Sequence, residues 1–533
     1  MKRFYLLIFL YVLIVNASQA KELNLVLSDP SFKTSSQTLI SNQEIKKSHA
    51  KTMTALLASQ ANISIAQTSF SPPSVYIRGG DSSHVLILVD GVPFYDPSTI
   101  QKTININSID VRTVEQIEVI KGSQSVVYGG QALSGVIKIR TLNKKNENSA
   151  KIYADAGSFS QSTLGSTASI KLSDLWGFKA DVSLNKKEAL SPVLNSSKTY
   201  PSAQTNVGAA FTYQGDFSGF IKLNSSTDNT DIATTAFPNY FAADTNNYHT
   251  TSTQLSLVSS LEARKLILQP ALSISLLKNN RYYEQDAVSG SGSATNLDYD
   301  GDLQAARLDL KLFSNMNLTI NAGASLTAEQ LISRDQNVQQ SNDSVDYLGA
   351  YTKFNYYISE NTVYEAGLRL DNDQNKNYYL TYQAGITLSQ NYKLEVATGF
   401  KNPSLFQLFS SFGDKNLKPE TSTTASLSAY KTFEKNISTS LTLFYSQFEN
   451  LVDARGSPSK YTNIAKSRTY GFEASLTAKE FIPTYDLNTN FGYQDPKNLE
   501  NDSWLLRRPK YTASLKITKN AETFNLSAEG IYN

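Results

Sequence analysis

Ala306-Arg307-Leu308-Asp309-Leu310-Lys311-Leu312 alternates without a break, apolar residues on one side and charges of both signs on the other. Successive side chains of a strand point to opposite faces, so this run reads as a β-strand with one apolar and one charged face. The same pattern recurs in Glu365-Ala366-Gly367-Leu368-Arg369-Leu370-Asp371 and in Leu394 and Val396 around Glu395. From Lys151 onward about nineteen such segments follow one another. Most reach the roughly 9–11 residues that a tilted strand needs to cross a bilayer, against about 5–6 in an average soluble strand. A soluble sandwich also alternates; length and repetition point instead to a transmembrane antiparallel β-barrel. Tight turns at 315–317, 389–391 and Asn436 alternate loosely with long polar stretches at 185–204, 225–248, 285–300, 334–343 and 401–420. Short turns on one rim and long loops on the other are the outer-membrane pattern.

The N-terminus agrees. Lys2 and Arg3, the apolar run 4–15 and Ser18-Gln19-Ala20 form a secretory signal over residues 1–20, which places the mature start at Lys21. That apolar run is too short for the roughly 20 residues of a membrane-spanning helix, and no later stretch comes near it. Mean hydropathy is −0.31, as a barrel allows, because only every second strand residue meets lipid. Thirty tyrosines and 25 phenylalanines suit strands and interfacial girdles. With no cysteine the exported chain has no disulfide scaffold and no Cys-based zinc or redox site. A net charge of +2 gives no electrostatic case for nucleic acid. His49, His84 and His249 have no Ser or Asp partner in a recognisable catalytic arrangement. Neither an enzyme nor a cofactor is expected.

Residues 21–145 follow a different grammar, that of a compact α/β unit. Ile45, His49, Met53, Leu56 and Leu57 have helical spacing within 42–61. Strand-like runs at 75–78, 85–89, 114–121 and 135–141 are separated by Gly79-Gly80, Asp90-Gly91 and Gly129-Gly130. In order, Val75-Tyr76-Ile77-Arg78-Gly79-Gly80, Ser83-His84-Val85-Leu86-Ile87-Leu88-Val89-Asp90-Gly91-Val92, Val114-Glu115-Gln116-Ile117-Glu118-Val119-Ile120-Lys121-Gly122, Val127-Tyr128-Gly129-Gly130 and Gly135-Val136-Ile137 resemble the plug of TonB-dependent receptors. Three barrel stretches resemble the same family. They are Phe400-Lys401-Asn402-Pro403-Ser404-Leu405-Phe406 with Asn416-Leu417-Lys418-Pro419-Glu420, Tyr461-Thr462-Asn463-Ile464-Ala465 with Tyr470-Gly471-Phe472-Glu473-Ala474, and Leu505-Leu506-Arg507-Arg508-Pro509. The last, with the Ser-His-Val-Leu stretch, is most similar to the vitamin B12 (cobalamin) receptor branch.

The resemblance implies a plug at 30–145 inside a barrel at 146–533, in an outer-membrane protein of a Gram-negative bacterium. The family barrel has about 22 strands. About nineteen segments therefore suggest a chain short of its last three strands, or roughly sixty residues. No extra signalling domain is expected before the plug. The implied function is active import of a bulky scarce nutrient, a corrinoid first and a ferric siderophore as the alternative, with haem less favoured and a passive porin or adhesin disfavoured by the plug. The implied partners are TonB with ExbB and ExbD on the periplasmic side, outer-membrane lipid and a downstream periplasmic binding protein; the chain is expected to act as a monomer. Energy coupling falls to an extended segment at 21–29, through Leu23, Leu25, Val26 and Leu27, by strand addition. Ligand contacts are expected from the plug apices 67–74 and 93–103 (Phe70, Ser71, Tyr95, Asp96) and from the outer loops (Phe237, Tyr240, Phe241, Phe409, Phe412). Aromatic faces suit a flat corrin or an aromatic siderophore. Arg78, Glu115, Glu118 and Lys121 of the plug are expected to pair with barrel charges such as Glu365, Arg369 or Asp371. No metal site is expected: 185–204 has no aspartate, and Asp228 and Asp231 are too few for a calcium cage.

Overall fold

The computed structural model describes residues 36–68, 71–142, 147–191, 197–236, 241–285, 295–373, 377–433, 436–457, 459–521 and 525–532. The leader, Leu23, Leu25, Val26, Leu27, Phe70, Phe237 and Tyr240 lie outside these residues, as do the side chains of Ser71 and Phe241.

Within the plug, β1 (Gln37–Ser41) leads into α1 (Asn42–Ser48), where Ser41 and Glu44 make a reciprocal capping box. The helical spacing read over 42–61 is broken. His49 turns left-handed at φ 53° and is exposed, and Thr52 caps a separate α2 (Met53–Ala58). Strands β2 (Ile63–Thr68) and β3 (Ser71–Ile77) form a hairpin. A five-stranded sheet is assembled from β1, β4 (Val85–Val89), β5 (Val92–Pro93), β6 (Gln116–Lys121) and β7 (Gly135–Arg140), in the order β1-β6-β7-β4-β5. Between β6 and β7 lies the one-turn helix α3 (Ser125–Tyr128). Met53, Leu57, Ile63, Ile77, Ile106, Ile117 and Ile137 close one apolar core.

Among the described residues the second unit is a closed barrel of nineteen strands, each antiparallel to the next, from Ser149–Ala156 to Asn525–Tyr532. An odd count makes the first and last strands run the same way where the barrel closes. Leu164, Leu184, Leu255, Leu368, Leu394 and Leu443 face outward, whereas Lys222, Glu329, Arg369, Glu420 and Glu473 are buried against the plug. Phe472, Phe491, Tyr493 and Tyr511 form a string of neighbouring rings, as aromatic girdles do.

The long polar stretches differ from expectation. The stretch 334–343 is a two-residue turn, Gln336-Asn337, with both φ positive, joining Leu318–Asp335 to Val338–Ser359. That is the turn that matches strand twist. Likewise 185–204 and 225–248 are largely strand, since pairing continues along Trp176–Leu190, Thr199–Gln214, Ser218–Ala236 and Phe241–Glu262. Beyond the apolar band both faces of a strand meet water, so alternation fades while backbone pairing persists. Among the described residues 401–420 is a true loop, and it carries α4 (Leu405–Phe409); residues 286–294 of the stretch 285–300 lie outside the described residues.

Candidate functional site: the plug–barrel interface and its apex

Buried charges fasten the plug to the lumen wall. Arg78 forks onto Glu473 of the barrel, Nε to Oε1 at 3.0 Å and Nη2 to Oε2 at 2.8 Å, with its guanidinium 4.6 Å from the Phe444 ring centre. Lys121 Nζ lies 3.3 Å from the same carboxylate and donates to Ala61 O at 2.6 Å. Asn62 Nδ2 donates to Phe472 O at 3.2 Å, and its backbone N–H donates to Thr512 Oγ1 at 2.8 Å. Glu473 is fully buried. A carboxylate so placed persists only because two cations face it, and burial holds the Lys121 ammonium below its ordinary value although Glu473 works against it. The backbone here needs glycine. Gly79 has φ +74°, and a Cβ on it would strike Thr469 of the barrel.

A second fastening uses His84. Its Nδ1 accepts the Asp81 backbone N–H at 3.0 Å, which leaves Nε2 to donate to Glu420 Oε2 at 3.2 Å. Lys401 Nζ meets the same oxygen at 2.8 Å, and the imidazole stacks on Phe448. On the opposite wall Asp90 takes Lys222 Nζ at 3.0 Å and the Thr141 N–H at 2.7 Å. Burial pushes the Asp90 carboxyl up, but Lys222 and the two bonds from Thr141 outweigh it and hold the group below its ordinary value.

The expected ion-pair partners are therefore corrected. Arg78 and Lys121 reach across to the barrel, but to Glu473 rather than to Glu365, Arg369 or Asp371. Glu365 lies between Lys353 and Lys393 at 3.5 and 3.6 Å, and Arg369 forks onto Asp371 two residues along its own strand at 2.7 Å. Glu118 pairs inside the plug with Lys138 at 2.5 Å, and Glu115 is within electrostatic reach of barrel Lys179. Charges sharing one strand face pair locally, and sequence position alone does not reveal which plug residue sits opposite.

At the apex, Tyr95 and Asp96 are both buried and both engaged. The Tyr95 hydroxyl donates to Glu329 Oε1 at 2.7 Å; burial and that carboxylate push its pKa well above the ordinary value. Lys102 Nζ sits 2.8 Å from Glu329 Oε2. Burial holds the Lys102 ammonium low, against the pull of Glu329. Asp96 caps Ser98 and meets Arg281 Nε at 2.8 Å. Arg281 in turn lies 5.8 Å from the Tyr283 ring centre and 5.3 Å from that of Tyr299, and Tyr248 packs on Tyr283. This arginine-in-tyrosine cluster went unread in the sequence; the signal was Arg281-Tyr282-Tyr283 at the mouth of a long polar stretch. Phe409 packs on Leu331, Val345 and Leu405, whereas Phe412 is exposed. Among the described residues no group of three or more His, Asp or Glu is gathered as a metal site.

With this geometry in hand, comparison with known proteins is specific. Residues 30–136 match the TonB-dependent receptor plug domain, and residues 176–532 match the TonB-dependent receptor-like β-barrel. The vitamin B12 transporter of Vibrio vulnificus is 24% identical over 86% of this chain and 74% of that protein. That of Vibrio cholerae O1 is 24% identical over 85% of this chain and 74% of its own length. Among solved structures, the siderophore receptor PirA of Acinetobacter baumannii superposes with a TM-score of 0.74 at 16% identity, covering 91% of this chain and 84% of that one. The ferric enterobactin receptor PfeA of Pseudomonas aeruginosa gives 0.75 at 15%, covering 93% and 85%. At such identities the structural likeness establishes the fold.

Proposed function

The chain belongs to the TonB-dependent receptor family, transporters rather than enzymes, seated in the Gram-negative outer membrane; from that premise we propose that its cargo is cobalamin or a related corrinoid. The observation that carries this reading is the match to vitamin B12 transporters along most of the chain. Captured ligand sits on the plug apex and outer loops, with Phe70, Ser71, Tyr95, Asp96, Phe237, Tyr240, Phe241, Phe409 and Phe412 as candidate contacts. TonB, energised by ExbB and ExbD, pulls on the segment 21–29 through Leu23, Leu25, Val26 and Leu27 by strand addition. The plug (30–145) then yields within the barrel (146–533).

One observation favours a second reading. Arg281 set among Tyr248, Tyr283 and Tyr299 at the apex suits an aromatic, anionic ligand, as a ferric siderophore is. Calorimetric titration of the purified receptor with cyanocobalamin and with ferric enterobactin separates the two. Cobalamin is expected to bind; tight binding of the ferric complex with none of cobalamin reverses the assignment. In cells, Val26→Pro is expected to abolish uptake of whichever ligand binds and to leave the titration unchanged.

A further inference from the structure

On the outer wall, four neighbouring strands mark the edge of the lipid band in the same order. They are Ile437–Arg455, Lys460–Ile482, Tyr485–Asn498 and Tyr511–Asn520. Phe444, Phe448, Thr469, Glu473, Gln494 and Thr512 are buried on their inner face, so the alternate residues face outward. Along that outer face Leu441 and Leu443 lead to Tyr445 and Gln447, and Leu476 leads to Phe472, Tyr470 and Arg468. On the next two strands Leu487 leads to Phe491, Tyr493, Asp495 and Lys497, and Leu515 leads to Tyr511. Apolar side chains give way to rings and then to polar or charged groups, as they do where a lipid band ends. This edge is the cell-surface one, because the pairing runs across from the end of the 401–420 loop: Thr421↔Glu449, Phe448↔Ser467, Arg468↔Lys497.

Just above the rings the cations gather. Arg468 and Lys497 stand directly opposite each other across their strand pair, and like charges so placed repel. Lys497 is bridged to Trp504, and Lys510 Nζ lies 3.0 Å from the centre of that ring. Acidic residues answer part of this charge. Lys497 pairs with Asp502 at 2.9 Å and Lys466 with Glu449 at 3.3 Å, and Asp495 is within electrostatic reach of Tyr470 and Lys497. The Arg468 guanidinium is 5.8 Å from the centre of the Tyr470 ring, and its buried Nε meets no acceptor. Among the described residues neither that guanidinium nor the Lys510 ammonium is ion-paired. A half-buried guanidinium without an oxygen partner calls for one from outside the chain.

We propose that this patch is a site for the phosphate headgroup of a lipid in the outer leaflet, with Arg468 and Lys510 as its principal donors. A guanidinium forks onto phosphate oxygens, and an ammonium meets them as a point charge. The acyl chains then descend over Tyr470, Phe472 and Leu476, and a phosphate between Arg468 and Lys497 relieves their repulsion. The strand Thr295–Ser314 shows the contrast: its Asp298 and Asp300 are both answered by Arg334, at 2.6 and 2.8 Å. The site lies outside the lumen and is independent of the cargo.

Purified receptor in detergent is titrated with diphosphoryl lipid A, or with the same lipid stripped of its phosphates, and bound lipid is counted by native mass spectrometry. The phosphorylated lipid is expected to bind. Its affinity is expected to fall about fivefold in Arg468→Gln or Lys510→Gln and about twenty-fivefold in the double variant, the scale of one basic side chain at an anionic surface taken once and twice. Arg468→Lys is expected to keep most of the affinity. Arg264→Gln/Lys265→Gln, which removes two exposed cations from a turn on the opposite rim, is expected to change nothing. Equal affinity in the unaltered receptor and the Arg468/Lys510 double variant overturns the site, as does an equal loss in the opposite-rim control. Equal binding of the phosphate-free lipid overturns the phosphate contact. Excess inorganic phosphate is expected to leave the lipid bound; displacement by it overturns the assignment to a lipid. All four positions face away from the plug contacts, so the substitutions leave those in place.

Discussion

Plug and barrel are built inside out relative to each other. In the plug the aliphatic side chains of Met53, Leu57, Ile63, Ile117 and Ile137 point inward and the charges outward. In the barrel Leu164, Leu184, Leu368 and Leu394 point outward to lipid, and Lys222, Glu329, Glu420 and Glu473 point inward. Where the two meet, polar and charged contacts predominate, although barrel Leu277 and Leu303 join the plug's apolar core cluster. The interface is therefore held by hydrogen bonds and paired charges together with this apolar contact. Such contacts are strong when complete and weaken together once water enters, because a buried ion pair gains its strength from exclusion of solvent. A transporter's plug needs that behaviour: each part folds on its own apolar surface, and the joint between them can be opened.

The strongest challenge to this contrast is Glu473→Ala, which strands Arg78 and Lys121 without their shared carboxylate. Loss of one side of a buried pair costs about 3–5 kcal/mol, and here the loss falls on plug docking. Amide exchange at 62–80 and 116–122 should rise sharply, with the barrel unaffected; unchanged protection there would mean that the joint is held by something else. Next in size is Leu368→Arg, which puts on the lipid face the residue that position 369 carries on the lumen face. A cost of about 2–4 kcal/mol in barrel unfolding from lipid vesicles is expected near mid-depth; a neutral result would contradict the assigned faces. The smallest effect is one of pH. Asp90 has a folded-state pKa below its ordinary value, because Lys222 and Thr141 outweigh its burial. Its contribution is present above the unfolded pKa and is lost as pH falls through the folded one. Plug docking should therefore weaken below about pH 4, and Asp90→Asn should flatten that part of the profile while lowering docking at neutral pH. The groups around Asp90 are Lys222 and Thr141, with barrel Lys179 and Asp181 within electrostatic reach.

Much of the fold was legible in the chain. Period-2 alternation gave the strands and their number, and the runs at 85–89, 114–121 and 135–141 became β4, β6 and β7 nearly as read. The misses share causes. His49 interrupts a helical pattern because it takes a left-handed turn that its spacing does not reveal. Gln336-Asn337 is hidden because polar residues occupy both faces of its flanking strands. At the site, Glu473 was in view as part of Tyr470-Gly471-Phe472-Glu473-Ala474, yet nothing local joins it to Arg78, 395 positions earlier. Lys102 and Glu329 carry no pattern at all, since each is one charge among many.

By itself the sequence determined what repeats or what lies close along the chain: the alternation that makes a membrane barrel, and the plug motifs that place the chain in its family. These follow from short-range stereochemistry and from which face meets lipid. Only the tertiary structure decided which charges meet, that Glu329 closes on Tyr95 and Lys102, and that Arg369 keeps a donor free. Pairing across hundreds of residues depends on how the plug is rotated within its barrel, and that orientation is set by the whole polar surface at once.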